Sequence, residues 1–184
     1  MINYPFFNEN YKKVTSYKNR GMSFEERINV TNNYYLNNDI ALIFKRTTPI
    51  KVIEFNNQSK LITKAVFEKD STTDYNGVYK GRYLDFEAKS VTSKTSFPLH
   101  NIKEHQITHL KDVIKNGGTS FFLIEFSTLN KIYLLKTIDL LDYINSSNKK
   151  SISLKDFEIK AFLVNQYINK PVDYLENIEK IFNF

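Results

Sequence analysis

Between Tyr83 and Lys89 the chain alternates two kinds of position. Leu84, Phe86 and Ala88 share one parity, and Asp85, Glu87 and Lys89 share the other. Successive side chains of a strand leave on opposite faces. The pattern therefore predicts a strand with an apolar face turned to a core and two acids and a lysine together on the other face. Upstream, residues 71–79 form a second run of β-branched and aromatic residues, and Lys80-Gly81 between the two reads as a two-residue hairpin loop. With that loop Tyr79 faces Arg82, and counting outward sets Asp74 opposite Glu87 and Thr72 opposite Lys89. A bulge at Asn76-Gly77 would move this register by one.

The rest of the pattern frames that hairpin. Ser23 followed by Glu26 is a capping box that opens a helix running to about residue 36. Residues 40–45 and 50–55 read as strands on either side of Thr48-Pro49. Residues 56–70 are turn-like at Asn56-Asn57-Gln58-Ser59, then mix apolar and basic residues as a strand or a projecting arm does. After a Ser-, Thr- and Lys-rich loop over 90–98, helix signals resume at Asn101 and stop at Gly117-Gly118. Ile102, Gln106, Leu110 and Val113 share one face of that helix, so Gln106 is a polar residue on the inward side. A buried amide is most often satisfied by a nearby backbone group; the alternative is an amide oxygen turned towards a metal or its water. Residues 119–126 and 131–136 are apolar strands, 137–145 a helix, and 172–184 a closing helix whose stripe of Tyr174, Ile178, Ile181 and Phe182 suits a core or a dimer contact. The order of elements predicts an α/β fold with a mixed sheet.

Size and charge narrow the chemistry. At 184 residues the chain is one domain, here 21–184, with a loose arm over 1–20. The formal charge of +6 favours a polyanionic partner. With no cysteine, disulfides and thiolate metal sites are excluded. His105 and His109 stand at i, i+4 but lack the glutamate of an HExxH zinc motif, which leaves them as a solvated helix face. No signal peptide, membrane-length apolar run, repeat or Gly-rich phosphate loop is present, so a cytoplasmic protein is expected.

Two carboxylates opposed across a hairpin lie about 5 Å apart at Cβ and repel. An alternating acidic strand is commonly just a half-solvated edge, and Glu87 with Lys89 alone is a surface pair of little worth. The opposition of Asp74 favours a different account. A hard divalent cation such as Mg²⁺, which takes oxygen ligands from one or two carboxylates, would relieve the repulsion. Lys89 on the same face could then approach a phosphate.

The segments Asn19-Arg20-Gly21-Met22, Glu25-Glu26, Asn32-Asn33-Tyr34-Tyr35 and Pro49-Ile50 add a further layer. So do the whole of 71–81, Asp85-Phe86-Glu87-Ala88-Lys89, 94–99 and Glu104-His105-Gln106. In this order they resemble the RecU-type Holliday junction resolvases of low-GC Gram-positive bacteria, members of the restriction-endonuclease-like PD-(D/E)XK superfamily. The resemblance implies a mixed central β-sheet flanked by helices, with a stalk in the place of 56–70 that enters the junction. It implies a Mg²⁺ site of Thr72, Asp74, Glu87 and Gln106, with Mn²⁺ as a substitute, and Lys89 as stabiliser of the transition state. Glu26 and Asp85 are accessory candidates, and Arg20, Lys60, Lys64 and Lys69 are candidate DNA contacts. It also implies a homodimer acting on four-way junction DNA by paired nicks, beside recombinase or branch-migration proteins. The competing readings are a non-catalytic DNA-binding protein on the same fold and an endonuclease of ordinary duplex DNA.

Overall fold

The two central residues of the Lys80-Gly81 loop both have positive φ, 47° and 75°, the conformation of a type I′ turn whose twist matches that of its strands. The turn joins β4 (Tyr75–Tyr79) to β5 (Arg82–Val91) with Tyr79 opposite Arg82 and Tyr75 opposite Phe86. No bulge interrupts this pairing. The structure is a computed structural model and describes residues 21–68, 71–146 and 149–182; the arm over 1–20, with Arg20, and Lys69 lie outside them.

Around this hairpin a six-stranded sheet runs in the order β1 (Leu42–Lys45), β4, β5, β7 (Thr119–Phe126), β8 (Lys131–Lys136) and β10 (Phe162–Leu163). β5 and β7 are parallel, and the helix α2 (Glu104–Lys115) makes the crossover between them. The other neighbours are antiparallel. Gly77 permits the close approach of β1 to β4, because a Cβ there would stand 2.1 Å from the carbonyl oxygen of Leu42.

Both faces of the sheet are covered. On one side Leu84, Phe86, Phe121 and Leu123 pack beneath α1 (Phe24–Asn37) and α5 (Leu175–Phe182). Tyr75, Phe86 and Phe121 stack in sequence with centroids 5.0 and 4.7 Å apart, and Tyr174 closes on Phe86 at 5.1 Å. Such pairs contribute roughly 0.5–1.5 kcal/mol each beyond their buried area. On the other side Phe122, Ile124 and Phe126 pack beneath α2 and α3 (Thr137–Ser146). A small ladder of β6 (Ser96–Pro98) with β9 (Ser151–Ser153), and α4 (Leu154–Lys160), complete that layer. The mixed sheet and the predicted helices are thus present. Ser23 caps α1 reciprocally with Glu26, as the sequence indicates. α5 begins at Leu175, later than the expected 172, and Tyr174 and Ile178 are fully buried in the core.

One element departs from expectation. Residues 50–56 do not continue the main sheet. They form β2 (Ile50–Asn56), which pairs only with β3 (Leu61–Phe67) in a separate two-stranded sheet. The projection therefore begins at Ile50 rather than at residue 56. Every residue of both strands is exposed, and the hairpin closes at its foot with the Glu68 N–H donating to the Pro49 carbonyl at 3.1 Å. Among the described residues no helix is long and apolar enough to cross a membrane.

Candidate active site

Asp74 lies one residue before β4, and the ladder extrapolates to place it across from Glu87. The side chains confirm the juxtaposition. The backbone N–H of Asp74 donates to Glu87 Oε2 at 3.1 Å, and that of Ala88 donates to Asp74 Oδ2 at 3.0 Å. Each carboxylate is thus held by the other strand's backbone. Lys89, two residues on and on the same face, sets Nζ 2.6 Å from Glu87 Oε1.

Because α2 roofs this face, the two acids of β5 are not half-solvated, whereas Asp74 is half-buried. Glu87 is 1% exposed and Asp85 0%. Burial, and then the neighbouring charge of Asp74, push the Glu87 carboxyl up to about 7, with Lys89 pulling the other way. A buried carboxylate facing a second one holds a proton more tightly, and a cation between them would relieve the repulsion.

The residues fit a hard divalent ion. Thr72 Oγ1, two residues before Asp74, is buried and has no hydrogen-bond partner. Among the described residues no three His, Cys, Asp or Glu side chains gather closely enough to form a ligand cluster. A pair of carboxylates with neutral oxygens would suit a cation that keeps several of its waters. Gln106 is buried on the inward face of α2, as its position in the helix predicts. Its amide nitrogen donates to Glu87 Oε1 at 2.6 Å, while its oxygen accepts from the Lys103 N–H at 3.0 Å. In this arrangement its nitrogen, not its oxygen, faces Glu87.

Asp85 has a different neighbourhood. Its carboxylate accepts from Arg46 Nη2 at 2.6 Å, from the Tyr83 hydroxyl at 2.8 Å and from Thr73 Oγ1, and it lies 2.9 Å from His109 Nε2. His109 is consequently half-buried and paired, not part of a solvated face; His105 is exposed. Arg46 and Thr73 carry no signal in the sequence pattern. Glu26 is exposed at the start of α1, where its carboxylate accepts from the Ser23 N–H at 2.6 Å. That backbone bond and the Ser23 hydroxyl hold it below the usual carboxylate range. Lys60 sits in the β2–β3 turn with positive φ, and Lys64 is exposed 3.6 Å from Glu54.

The profile of the family described as recombination protein U, RecU, matches residues 19–180. This chain belongs to the RecU family. Among its curated relatives, the Holliday junction resolvase RecU of Pediococcus pentosaceus is 46% identical over 171 residues, spanning 90% of this chain and 85% of the relative. That of Leuconostoc mesenteroides is 42% identical over 174 residues, spanning 92% and 85%. A solved structure, Archaeoglobus fulgidus Hjc, a Holliday junction resolvase, aligns with 75% of this chain and 94% of its own at a TM-score of 0.46 and 10% identity. The RecU match takes in the last third of the chain as well, where α5 supplies Ile178 and its flank Tyr174 to the core under Phe86.

Proposed function

We propose that this chain is a divalent-metal-dependent endonuclease that resolves four-way DNA junctions by paired nicks. Membership of a family whose curated relatives bear the name Holliday junction resolvase supports the substrate. The observation that carries the chemistry is the opposition of half-buried Asp74 and buried Glu87, beside Lys89, with the unpartnered Thr72 hydroxyl two residues before Asp74. Intact acids and lysine disfavour a non-catalytic binding protein.

Asp74 and Glu87 would hold the metal, Mg²⁺ or in its place Mn²⁺, with Thr72 as a neutral ligand. When bound, such an ion supplies Lewis acidity and lowers the pKa of an attacking water. Glu87 must give up its proton for this, and Gln106 keeps its carboxylate turned into the site. Lys89 Nζ, on the same face as Glu87, would serve the non-bridging oxygens of the scissile phosphate, where negative charge develops. The α2 roof limits water at Glu87, which strengthens each of these interactions. Lys60 and Lys64 on the hairpin offer positive charge to DNA phosphates, and a two-fold dimer would bring two such sites to opposed strands of a junction.

The deciding experiment is nicking of synthetic four-way junctions beside linear duplex, with Mg²⁺ or EDTA. We expect paired nicks on junctions only with the metal, and loss of nicking in Asp74→Asn and Glu87→Gln with junction binding in EDTA retained. Full cleavage by either variant at ordinary Mg²⁺ would remove the metal-site assignment, and equal cleavage of linear duplex would remove the junction selectivity.

A further inference from the structure

Arg46 lies between β1 and the foot of the β2–β3 hairpin, and it touches the proposed metal site twice. Its backbone N–H donates to the Asp74 carbonyl at 2.7 Å. Its guanidinium Nη2 donates to Asp85 Oδ2 at 2.6 Å. Asp85 is fully buried and sits on β5 two residues before Glu87, on the same face. The same carboxylate takes up the Thr73 hydroxyl, next to Asp74 in the chain, and meets His109 of α2, one turn from Gln106. The four backbone segments that carry Asp74, Glu87, Gln106 and the hairpin foot thus converge on a single Arg46–Asp85 pair.

A buried carboxylate without its cation is strongly unfavourable. Removal of the Arg46 side chain would leave Asp85 to draw on its remaining donors by moving the strands and helix that hold it. Those shifts pass to Asp74 and Glu87, whose separation a metal site must keep to a few tenths of an ångström. The hairpin is bound into the same arrangement. Pro49, whose ring fixes its φ, accepts from Glu68 at the foot of the hairpin and stands only three residues beyond Arg46.

We propose that Arg46 is a positioning residue of the metal site, holding Asp74 through its backbone and the Glu87 strand through Asp85. It touches neither metal nor phosphate. This inference rests on the metal-site reading above. Only one guanidinium nitrogen engages Asp85, with Tyr83 at the edge of its reach, 3.5 Å away. A lysine, with one charged donor on a stem of similar length, should therefore substitute for it.

The test measures Mn²⁺ binding by calorimetry without DNA, beside junction affinity in EDTA and the melting curve. Partners behind metal ligands typically govern affinity by 10–100-fold, so Arg46→Ala should weaken Mn²⁺ by about tenfold or more. Junction affinity in EDTA should hold, and Arg46→Lys should recover most of the metal affinity. Unchanged Mn²⁺ affinity in Arg46→Ala overturns the proposal. So does a parallel loss of junction affinity in EDTA, which would make Arg46 a phosphate contact. Should Arg46→Ala not fold, Tyr83→Phe removes a different donor from Asp85 and should also weaken Mn²⁺; no change there counts equally against the idea. Glu87→Gln separates the two readings. If it keeps Mn²⁺ binding, the metal site itself is misplaced; if it loses binding while Arg46→Ala does not, only the role of Arg46 falls.

Discussion

The Glu87 carboxylate can hold a proton, a lysine or a cation, and the three compete. Its proton affinity is raised by burial and by Asp74 to about 7, so near neutral pH a proton is the chief rival of the metal. Metal ligands bind as the deprotonated form. The Mg²⁺ concentration for half-maximal nicking should therefore climb as pH falls below 7, approaching about tenfold per pH unit for one displaced proton. A titration of rate against Mg²⁺ at pH 6, 7 and 8 checks this, and a flat requirement would count against Glu87 as the ligand. The same shift affects folding. Because the native state keeps this proton to higher pH than the unfolded chain does, the metal-free protein should lose stability from Glu87 as pH rises from 4.5 towards 7. Saturating metal should offset that loss. Lys89 makes a separate contribution. Lys89→Ala should slow the chemical step by roughly 10²-fold or more, as loss of a transition-state donor does. Single-turnover rates at saturating DNA distinguish this from a change in affinity.

At the scale of elements, the two hairpins differ in what holds them. The β4–β5 hairpin lies within the main sheet, and its register is set by a two-residue turn that is visible in the sequence at Lys80-Gly81. That is why the opposition of Asp74 and Glu87 follows from counting residues outward along the chain. The inward Gln106 is legible for a similar reason, since Gly117-Gly118 fixes the end of α2 and the helical period fixes its face. The β2–β3 hairpin is legible only in part. An apolar strand reads the same whether it joins a sheet or leaves it, and Ile50, Val52 and Phe55 give no sign that their strand stands exposed. The Arg46–Asp85 pair is not legible at all, since neither periodicity nor spacing links two residues 39 apart. A consequence of the exposed hairpin is testable. Replacing residues 50–67 with a short Gly-Ser turn should weaken binding of four-way junctions far more than of duplex. Neutralising Lys60 and Lys64 should weaken both and flatten the dependence on salt. Electrophoretic mobility shifts across a salt series measure each, and equal losses after the deletion would reduce the hairpin to a general electrostatic contact.

For the whole molecule, paired nicking requires two sites, and the proposed site is one per chain. If a two-fold dimer supplies both, mixing wild type with an excess of Asp74→Asn should yield junctions nicked on one strand only. A denaturing gel that resolves the two labelled strands reads the outcome directly. Undiminished paired nicking in the mixture would show that one chain cuts both strands in turn.

The contact at Gly77 reaches beyond the folded chain into its heredity. A Cβ there would stand 2.1 Å from the backbone oxygen of Leu42, and a backbone atom cannot swing aside as a side chain can. Every amino acid that a single base change can reach from a glycine codon carries a Cβ. Each missense step would force β1 away from β4, and with it the Arg46 amide from Asp74. Drift at this codon should therefore be confined to its synonymous third base, although Gly77 has no side chain with which to serve a site.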